Sequence, residues 1–573
     1  MWIKDENGIE DSYDFETEIE KWKYKKICFD GETEVEKSTA KSEEAFTGVW
    51  FLQHKEVINV TESTNEVFAV EIPKKYHNHE DIIAAKKVEL VRWEQYDAYE
   101  SLELKDQHII STRWVITEKD NGKIKARLVV RGFEEMITPQ SDSPTASKES
   151  GKLFLAICAN ENFTIKSLDV TSAFLQGRLL DREVYVMPPE EVDENGKVWK
   201  LKKTVYGLYD ASRSWYFAVK EEVLKLGMKT LSGDLAFFYL VKENKLLGLC
   251  IVHVDDFLMG GNQEFFNILN NTLLTKFTFG KMECKRFKYT GLNIEQKEDG
   301  SIFVDQNEYI QSLKPIELEK AVDKKMKLPK KKFTEYRALT GQLSWAAENT
   351  RPDLAFDVRE LSVRNKEACY NDVKKANKIL KKAQTEQVAV KYSKLGKWKD
   401  IRVGVYTDSS YRNDENKVKS VGGRFVSLFN KDGVLSPLLW KSKTIQQVCK
   451  SVKTAETRSL ERGLEDGIFM ARMVEEIYTG KVSEKQIEVE AFTDSKTLLD
   501  SINSTKQVDE KTVRHLVAWI KEQIDEKKVK TVNWVCSEEM IADVFTKANA
   551  KTSLILEVVK NGRLPNAESS WKF

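Results

Sequence analysis

Three aspartates follow apolar segments that lie far apart in the chain. Asp255 and Asp256 come after the largely apolar run 249–254, and a second apolar run begins directly behind them. Asp169 ends the β-branched run 163–168. Short apolar runs of this kind are typical of buried strands. The pattern therefore predicts a hairpin that carries two aspartates at its tip, and another strand that ends on a third aspartate.

Carboxylates in this arrangement are suited to one kind of chemistry. Buried like charges repel each other unless a cation lies between them, and ligand sets made only of oxygen favour a hard ion such as Mg²⁺. Two strands that deliver carboxylates to a pair of metal ions are typical of in-line nucleotidyl transfer. For Asp255 and Asp256 alone, the alternative is an ordinary Asp-Asp turn. Asp169 favours the catalytic interpretation.

A second set of acids begins after residue 392. Asp408 ends a predicted strand from 402, Asp494 ends another from 489, and residues 422–428 form a plausible neighbouring strand. Glu456 lies at the start of a long predicted helix with apolar residues on one side, namely Leu460, Leu464, Ile468 and Met473. Asp543 follows a further predicted strand, 532–535. Each acid alone would be an ordinary surface residue, but four in this order indicate a two-metal site.

Composition limits the wider possibilities. A chain of 573 residues is too long for one core, so three or more domains are expected. With 32% charged and 41% hydrophobic residues the chain is typical of soluble globular proteins. Its 91 basic residues balance 91 acidic ones, so any nucleic-acid footprint must come from local clusters. The seven scattered cysteines do not fit a zinc site or a disulfide framework, which indicates a reducing compartment. No secretory signal or membrane-spanning run is present.

Several motifs together carry a family resemblance. They are LDVTSAFLQG at 168–177, VYGL at 205–208 with Trp215-Tyr216, and VDD at 254–256. In this order and spacing they resemble the polymerase of copia-type (Pseudoviridae-like) LTR retrotransposons. The ending IADVFTK at 541–547 resembles the RNase H of the same elements. The resemblance covers residues 86 to 550 and implies the C-terminal part of a Pol polyprotein.

The resemblance implies an α+β multidomain fold. A right-hand polymerase with fingers, palm and thumb would be followed by a connection segment and an RNase H-like α/β domain. The expected divisions are a linker-like N-terminal extension, 1–85; fingers and palm with the start of the thumb, 86–315; thumb and connection, 316–398; RNase H, 399–550; and a C-terminal tail, 551–573.

The implied function is synthesis of DNA on RNA and DNA templates, with cleavage of the RNA strand of RNA–DNA hybrids. Asp169, Asp255 and Asp256 would hold two Mg²⁺ ions, with Val170 beside them; Val170 and Asp256 are the weaker members. A second pair of Mg²⁺ ions would be held by Asp408, Glu456, Asp494 and Asp543, and Mn²⁺ is an expected substitute.

Candidate nucleotide contacts lie in the predicted fingers. Two strands are predicted at 109–117 and 123–133, joined by a turn at Asp120-Asn121-Gly122. In the second strand, basic residues alternate with apolar ones. The non-functional alternative for this basic pattern is a strand face exposed to solvent. By resemblance to the family's Lys-Ala-Arg-Leu-Val segment, Lys125 and Arg127 would hold the triphosphate of the incoming nucleotide.

Further candidates lie within and between these motifs. Phe174, five residues after Asp169, would exclude a ribose 2′-OH by resemblance to reverse transcriptases, and a core aromatic is the equal alternative. Asp210 stands where the family has a nucleotide-contacting glutamine, and its charge would repel a triphosphate unless paired, with Arg213 the suggested partner. His253 replaces the family tyrosine before Val-Asp-Asp.

The implied partners are nucleic acids and nucleotides: an RNA template, a DNA or tRNA-type primer, an RNA–DNA hybrid and dNTPs. The basic run 324–332 and a helix around 373–383 could contact phosphates, the helix through Lys374, Lys375, Lys378, Lys381 and Lys382. The resemblance also implies integrase and capsid of the same element as partners, allows a homodimer, and implies a cytoplasmic virus-like particle that delivers its DNA to the nucleus for integration.

A rival hypothesis from another class is a catalytically weakened or co-opted nucleic-acid-binding subunit. The departures Asp210 and His253 motivate it. Retention of all seven acids argues against it, because carboxylates that repel nucleic acid are not needed for binding alone.

Overall fold

The computed structural model describes residues 71–118, 122–192, 194, 196–318, 323–411, 419–482, 487–508 and 510–564. Apolar runs at 46–51 and 66–70 predict two strands, but both runs lie outside the described residues, as do the turn residues Asp120 and Asn121. The chain divides into two compact units, Met1–Ser143 with Ser172–Ala218, and Pro144–Thr171 with Val219–Phe573.

Strands are numbered in chain order. They are β1 Tyr99–Glu103, β2 Ile109–Ile110, β3 Thr112–Glu118, β4 Ile124–Val130, β5 Thr164–Val170, β6 Tyr185–Val186, β7 Lys197–Leu201, β8 Lys229–Leu231, β9 Asp234–Lys242, β10 Lys245–His253, β11 Asp256–Gly261, β12 Phe279–Cys284, β13 Arg286–Tyr289, β14 Leu292–Gln296, β15 Ile302–Asp305, β16 Ala389–Tyr392, β17 Arg402–Ser410, β18 Val421–Phe429, β19 Leu435–Thr444, β20 Val489–Thr493 and β21 Thr531–Trp534.

Helices are numbered in the same way. They are α1 Glu80–Gln95, α2 Lys148–Glu161, α3 Ala211–Lys225, α4 Gln263–Asn270, α5 Leu273–Lys276, α6 Asn307–Ser312, α7 Lys330–Asn349, α8 Ala355–Val363, α9 Tyr370–Thr385, α10 Val452–Thr479, α11 Lys496–Asn503, α12 Lys511–Asp525 and α13 Ser553–Asn561. No described helix has both the length and the apolar character needed to cross a membrane.

The first unit contains two small sheets. Strands β3 and β4 form a hairpin, as expected, and the other sheet has the order β1-β7-β6-β2. Two sequence-based predictions were wrong here. Apolar residues at helical spacing over 82–104 predict one helix, but it ends at Gln95 and is followed by β1. Residues 199–208 are predicted to open another helix, but residues 199–201 lie in β7. The indole of Trp199 is buried and stacks on Tyr99 across the β1–β7 pair at 3.9 Å between ring centroids, which favours the strand.

The second unit carries the larger sheets. Its six-stranded antiparallel sheet, called here the palm sheet, has the order β12-β5-β11-β10-β9-β8. A five-stranded mixed sheet, called the nuclease sheet, has the order β19-β18-β17-β20-β21, with β17, β20 and β21 parallel. Order 3-2-1-4-5 with three antiparallel strands first is the RNase H-like arrangement that the resemblance implied. The expected α+β multidomain fold class is thereby confirmed.

The helices beside these sheets begin and end at identifiable residues. Helix α2 begins where the Ser147 side chain accepts a hydrogen bond from the Ser150 N–H, and α10 begins in the same way at Ser451. Helix α10 ends at Gly480, whose φ of 69° is the left-handed conformation that favours glycine at a helix end.

The palm and nuclease sheets share one hydrophobic core. Phe154 of α2 and Leu258 of β11 belong to the same buried cluster as Leu428 of β18 and Leu464 of α10. Polar contacts join the same elements: the Tyr478 hydroxyl donates to Glu161 at 2.7 Å. The two sheets are therefore parts of one packed body within the second unit.

Helices α7 to α9 pack around a buried ion pair. Arg351 and Asp353 have fully buried side chains, with Nε of the arginine 2.9 Å from Oδ1 of the aspartate. Nη1 of Arg351 also donates to the Ala383 carbonyl at 2.7 Å, near the end of α9. A buried ion pair is tolerated only when its remaining hydrogen bonds are satisfied. The bond from Arg351 to the Ala383 carbonyl therefore fixes how α9 lies against the turn before α8.

Candidate active sites: two groups of carboxylates

The first group of carboxylates lies at the end of the palm sheet. Strands β10 and β11 pair from His253 opposite Asp256, so Val254 and Asp255 form a two-residue turn. Val254 has a φ of 55°, a left-handed conformation that β-branched residues rarely adopt. Backbone strain of this kind persists where the surrounding structure enforces it, and here it presents Asp255 at the hairpin tip. The expected hairpin is present.

Register brings the other two palm aspartates together. Asp256 lies directly opposite Asp169 of β5 in the antiparallel pair. Opposed residues of an antiparallel pair point to the same face, so these side chains share one face with His253. Asp169 is exposed and Asp255 half-buried, whereas Asp256 is only 3% exposed.

Backbone contacts tie the hairpin tip to β5. The Val170 N–H donates to the Asp255 carbonyl at 2.9 Å. On the other side of β5, a Cβ added at Gly280 of β12 would lie 3.4 Å from Oδ2 of Asp169, so the strand passes close to this carboxylate. Burial lowers the pKa of His253, which favours a neutral imidazole beside the aspartates.

The second group of carboxylates gathers at one edge of the nuclease sheet. Asp408 lies in β17, and Asp494 directly follows β20, the parallel neighbour of β17. Glu456 lies in the second turn of α10, and Asp543 lies in the 3₁₀ segment Ile541–Phe545. Asp408 and Asp494 thus lie near strand ends and Glu456 on the long helix, as predicted, and Asp543 lies in a 3₁₀ turn after β21.

Glycines permit the close packing that brings these acids together. A Cβ on Gly463 of α10 would lie 2.4 Å from Cγ2 of Thr407, and one on Gly467 would lie 2.5 Å from Cγ2 of Val405. Both contacts are shorter than side chains tolerate, so only glycine lets α10 lie this close to β17. Gly423, opposite Asp408 in β18, likewise admits the Asp543 segment, because its Cβ would meet the Ala542 carbonyl at 2.8 Å.

Spacing distinguishes the two groups. Oxygen atoms of Asp408, Asp494 and Asp543 all lie within 4.8 Å of one another. In the part of the chain that the structure describes, this is the only group of three acidic, histidine or cysteine residues with that spacing, and the palm aspartates do not meet it. Three carboxylate oxygens this close form a ligand set that a hard divalent cation fits.

Each acid of the nuclease site is held by a protein donor. Oγ1 of Thr546 donates to Oδ2 of Asp408. Oγ of Ser409 donates to Oε1 of Glu456 at 2.7 Å, and Oγ of Ser537 donates to Oδ2 of Asp494 at 3.0 Å. The fourth donor is charged: Nζ of Lys547 donates to Oδ1 of Asp543 at 2.7 Å and lies 3.8 Å from Oδ2 of Asp408. None of these four donors was singled out from the sequence.

Burial and mutual repulsion shift the acids of this site. Burial raises the pKa of Asp408 to about 7, with Asp543 and Asp494 adding to the rise and Lys547 and Thr546 opposing it. Burial, followed by the charge of Asp408, raises the pKa of Glu456 well above its usual value. Burial also raises the pKa of Asp543. Oε2 of Glu456 is buried without a hydrogen-bond partner. Costly burial of this kind is relieved when a cation binds, so the residues present fit a metal site.

The candidate triphosphate contacts lie on β4. Lys125 and Arg127 are partly exposed and alternate with buried Ala126 and Leu128, as the sequence pattern predicted. The guanidinium of Arg127 lies over the ring of Tyr206, 5.7 Å from its centroid. The geometry is compatible with a cationic face, and contact with a nucleotide stays a prediction.

Phe174 lies in the 3₁₀ segment Ala173–Gln176 of the first unit and is 4% exposed. Its ring packs edge-on against Tyr206 at 5.0 Å between centroids. A buried aromatic in this position serves the core interpretation as well as the sugar-excluding one, so its role in nucleotide selection stays a prediction.

The partner expected for Asp210 was wrong. Arg182, not Arg213, binds its carboxylate, with Nη1–Oδ2 at 2.6 Å and Nη2–Oδ1 at 3.0 Å. Arg182 also reaches Oε2 of Glu135 through Nε at 3.0 Å. Arg213 instead lies 3.0 Å from Oδ2 of Asp142. The planar guanidinium of Arg182 presents several N–H donors in a fixed geometry, which suits it to bind two carboxylates. The sequence alone did not show which arginine lies beside Asp210.

The basic residues proposed on α9 form a solvent-facing surface. Four of them are exposed and one is half-buried beside Asp353; they are Lys374, Lys375, Lys378, Lys381 and Lys382. The opposite side of α9 is buried through Val373, Ala376 and Leu380. The helix therefore presents a cationic face whose role in binding nucleic acid stays a prediction.

Comparisons with known proteins identify what the chain is similar to. Residues 96–328 match the family described as reverse transcriptase (RNA-dependent DNA polymerase). The Pol polyprotein of transposon RE1 from Arabidopsis thaliana is 26% identical over 479 residues, covering 78% of this chain and 31% of the relative. That of transposon TNT 1-94 from Nicotiana tabacum is 27% identical over 507 residues, covering 81% and 36%.

Among solved structures, the foamy viral protease–reverse transcriptase in complex with double-stranded DNA has a TM-score of 0.47 and 12% identity, covering 82% of this chain and 73% of that one. The chain spans about a third of the length of the two curated relatives described. Residues 96–328 thus form a reverse transcriptase domain, in a chain whose relatives are the Pol polyproteins of copia-type retrotransposons.

Proposed function

We propose that this chain synthesises DNA on RNA and DNA templates and cleaves the RNA strand of RNA–DNA hybrids. The observation that carries the polymerase part is the register that sets Asp169 opposite Asp256, beside the strained turn of Asp255, inside a reverse transcriptase domain. The nuclease part rests on the grouping of Asp408, Asp494 and Asp543 within 4.8 Å.

In the polymerase site the proposed ions are two Mg²⁺, for which Mn²⁺ can substitute. When bound, they would lower the pKa of the primer 3′-OH and neutralise charge on the triphosphate. Asp169 and Asp255 are the proposed ligands, with Asp256 and the backbone at Val170 in support. Lys125 and Arg127 would neutralise charge that develops on the leaving pyrophosphate. Phe174 would exclude a ribose 2′-OH, so that dNTPs are the substrates.

In the nuclease site the same ions would activate a water molecule for attack on the RNA phosphodiester. Asp408, Glu456, Asp494 and Asp543 are the proposed ligands. The hydroxyl groups of Thr546, Ser409 and Ser537 would keep the first three carboxylates in position. Hybrid recognition would come from the backbone and the 2′-OH groups rather than from base sequence.

The cationic face of α9 is the proposed path for the duplex backbone. Lys374, Lys378 and Lys381 lie on its exposed side, where each phosphate contact would release counterions and make binding depend on salt. By relation to the Pol polyproteins, we also propose a tRNA-type or DNA primer, assembly with integrase and capsid, a homodimer, and action in a cytoplasmic virus-like particle whose DNA product goes to the nucleus.

Two assays test the proposal with the full chain. Extension of an oligo-dT primer on poly-rA with dTTP and Mg²⁺ should yield long products, and an end-labelled RNA in an RNA–DNA hybrid should be cut. A chain that binds the primer–template and performs neither reaction would instead be a co-opted nucleic-acid-binding subunit. Primer extension without RNA cleavage would limit the proposal to the palm sheet.

A further inference from the structure

Lys547 differs in kind from the other donors of the nuclease site. Thr546, Ser409 and Ser537 are neutral hydroxyl donors, each on one carboxylate. Lys547 carries a full charge, and its ammonium group lies 2.7 Å from Asp543 and 3.8 Å from Asp408. It therefore reaches two of the three acids whose oxygens lie within 4.8 Å of one another.

We propose that Lys547 is an internal counter-cation that holds Asp408 and Asp543 together without metal and gives way when a divalent ion binds. This inference rests on the proposed metal-dependent nuclease site. It makes Lys547 a positioning residue, because its ammonium touches the ligands and not the substrate.

Electrostatics supports such a competition. Asp408 and Asp543 bring two negative charges to one place, and Asp494 adds a third. A monovalent ammonium group lowers their repulsion but forms no coordination bonds, whereas a divalent ion brings twice the charge to the same oxygens. The side chain of Lys547 is 42% exposed, so it can leave toward solvent without a loss of core packing.

The local chain explains why the lysine is placed there. Asp543 and Lys547 are four residues apart around the 3₁₀ segment Ile541–Phe545, and the Lys547 N–H donates to the Asp543 carbonyl at 3.1 Å. One helical turn between them puts the two side chains on the same side. Gly423 lets this segment approach β18, which brings the same lysine to Asp408.

The test measures metal binding rather than cleavage. Mn²⁺ binding is followed by isothermal titration calorimetry on the full chain with Asp255→Asn, which removes a ligand of the palm site. Lys547→Gln keeps a hydrogen-bond donor and removes the charge, so we expect about tenfold tighter Mn²⁺ binding. In EDTA the same variant should have a lower Tm. Lys547→Arg keeps the charge and should bind Mn²⁺ like the parent.

Lys551→Gln, at an exposed lysine four residues further on, is the matched control and should change neither quantity. Unchanged or weaker Mn²⁺ binding by Lys547→Gln would overturn the inference and leave the lysine a structural contact only. If the parent chain does not cut hybrids but Lys547→Gln still binds Mn²⁺ more tightly, the counter-cation role is supported and the nuclease function is contradicted. Failure of this inference and failure of the proposed function are therefore distinguishable.

Discussion

The palm and nuclease sheets each present acids near strand ends, but the two groups of acids differ in spacing and burial. On the nuclease sheet, oxygens of Asp408, Asp494 and Asp543 lie within 4.8 Å of one another. Near the palm hairpin, Asp169 is exposed while Asp256, opposite it, is 3% exposed, and the described palm acids do not reach that spacing. The nuclease acids thus lie closer together than the palm acids do.

The nuclease acids are held close together by the residues around them. Three hydroxyl groups and one ammonium group donate to these acids, and glycines in β18 and α10 let the elements that carry them approach. Strand register and a strained turn place the palm acids, which do not reach the 4.8 Å spacing in the described part of the chain. We therefore expect the palm site to need its ions and nucleotide to complete it.

The largest expected effect separates the two sites. Asp255→Asn removes a proposed ligand from the palm, so primer extension should fall on the order of 10³-fold, while RNA cleavage changes little. Both activities are measured on the same preparation. A parallel loss of both would mean a folding defect or a shared site.

Within the nuclease site the acids should not be equivalent. Asp494→Asn should eliminate hybrid cleavage at any Mg²⁺ concentration, because Asp494 directly follows β20, an interior strand paired with both β17 and β21. Asp543→Asn should be milder and partly rescued by Mn²⁺, since Asp543 lies in a short 3₁₀ turn. Primer extension should persist in both, leaving the DNA product paired with uncut RNA. RNA degradation that survives in Asp494→Asn would remove this residue from the site.

Close packing at Gly423 offers a test of how the nuclease acids are gathered. In Gly423→Ala the new Cβ would lie 2.8 Å from the Ala542 carbonyl, so the Asp543 segment must move. We expect about 2 kcal/mol of destabilisation and about tenfold slower hybrid cleavage, with primer extension retained. Gly341→Ala, where nothing lies within 4 Å of the added Cβ, is the control. Equal behaviour of the two variants would contradict the packing argument.

The raised pKa values predict a pH effect with a definite sign. The folded chain binds protons at Asp408, whose pKa is about 7, and at Glu456, whose pKa is also raised, more readily than the unfolded chain does. Stability in EDTA should therefore fall as the pH rises from about 5 to 8. Mg²⁺ should raise the Tm more at pH 8 than at pH 6. A Lys547→Gln chain should show a steeper fall, and a flat profile in both would contradict the assignment.

The smallest effect is expected at Asp210. Because Arg182 already binds its carboxylate, Asp210→Gln should change the KM for dNTP by about twofold or less. Arg182→Met leaves Asp210 and Glu135 without this cation, so the KM should rise more, and less so at high salt. A large fall in KM for Asp210→Gln would show that Asp210 faces the nucleotide after all.

Sequence by itself determined the elements and the order of the acids. Apolar runs before Asp169 and Asp255 predicted strands β5 and β10, and the one-sided apolar pattern behind Glu456 predicted α10. These signals are local, because the alternation of buried and exposed positions along a strand or helix depends on residues close together in the sequence. The helix predicted to open at residue 199 was wrong, because residues 199–201 pair with β1 in a sheet.

Only the tertiary structure decided which distant side chains meet. It joined Asp210 to Arg182 rather than Arg213, placed Lys547 between Asp543 and Asp408, and merged the palm and nuclease sheets into one core. It also set the two groups of acids at different spacings. Charge pairing depends on distances of a few ångströms between segments far apart in the chain, and these distances are set by packing, such as the approach that Gly423 permits.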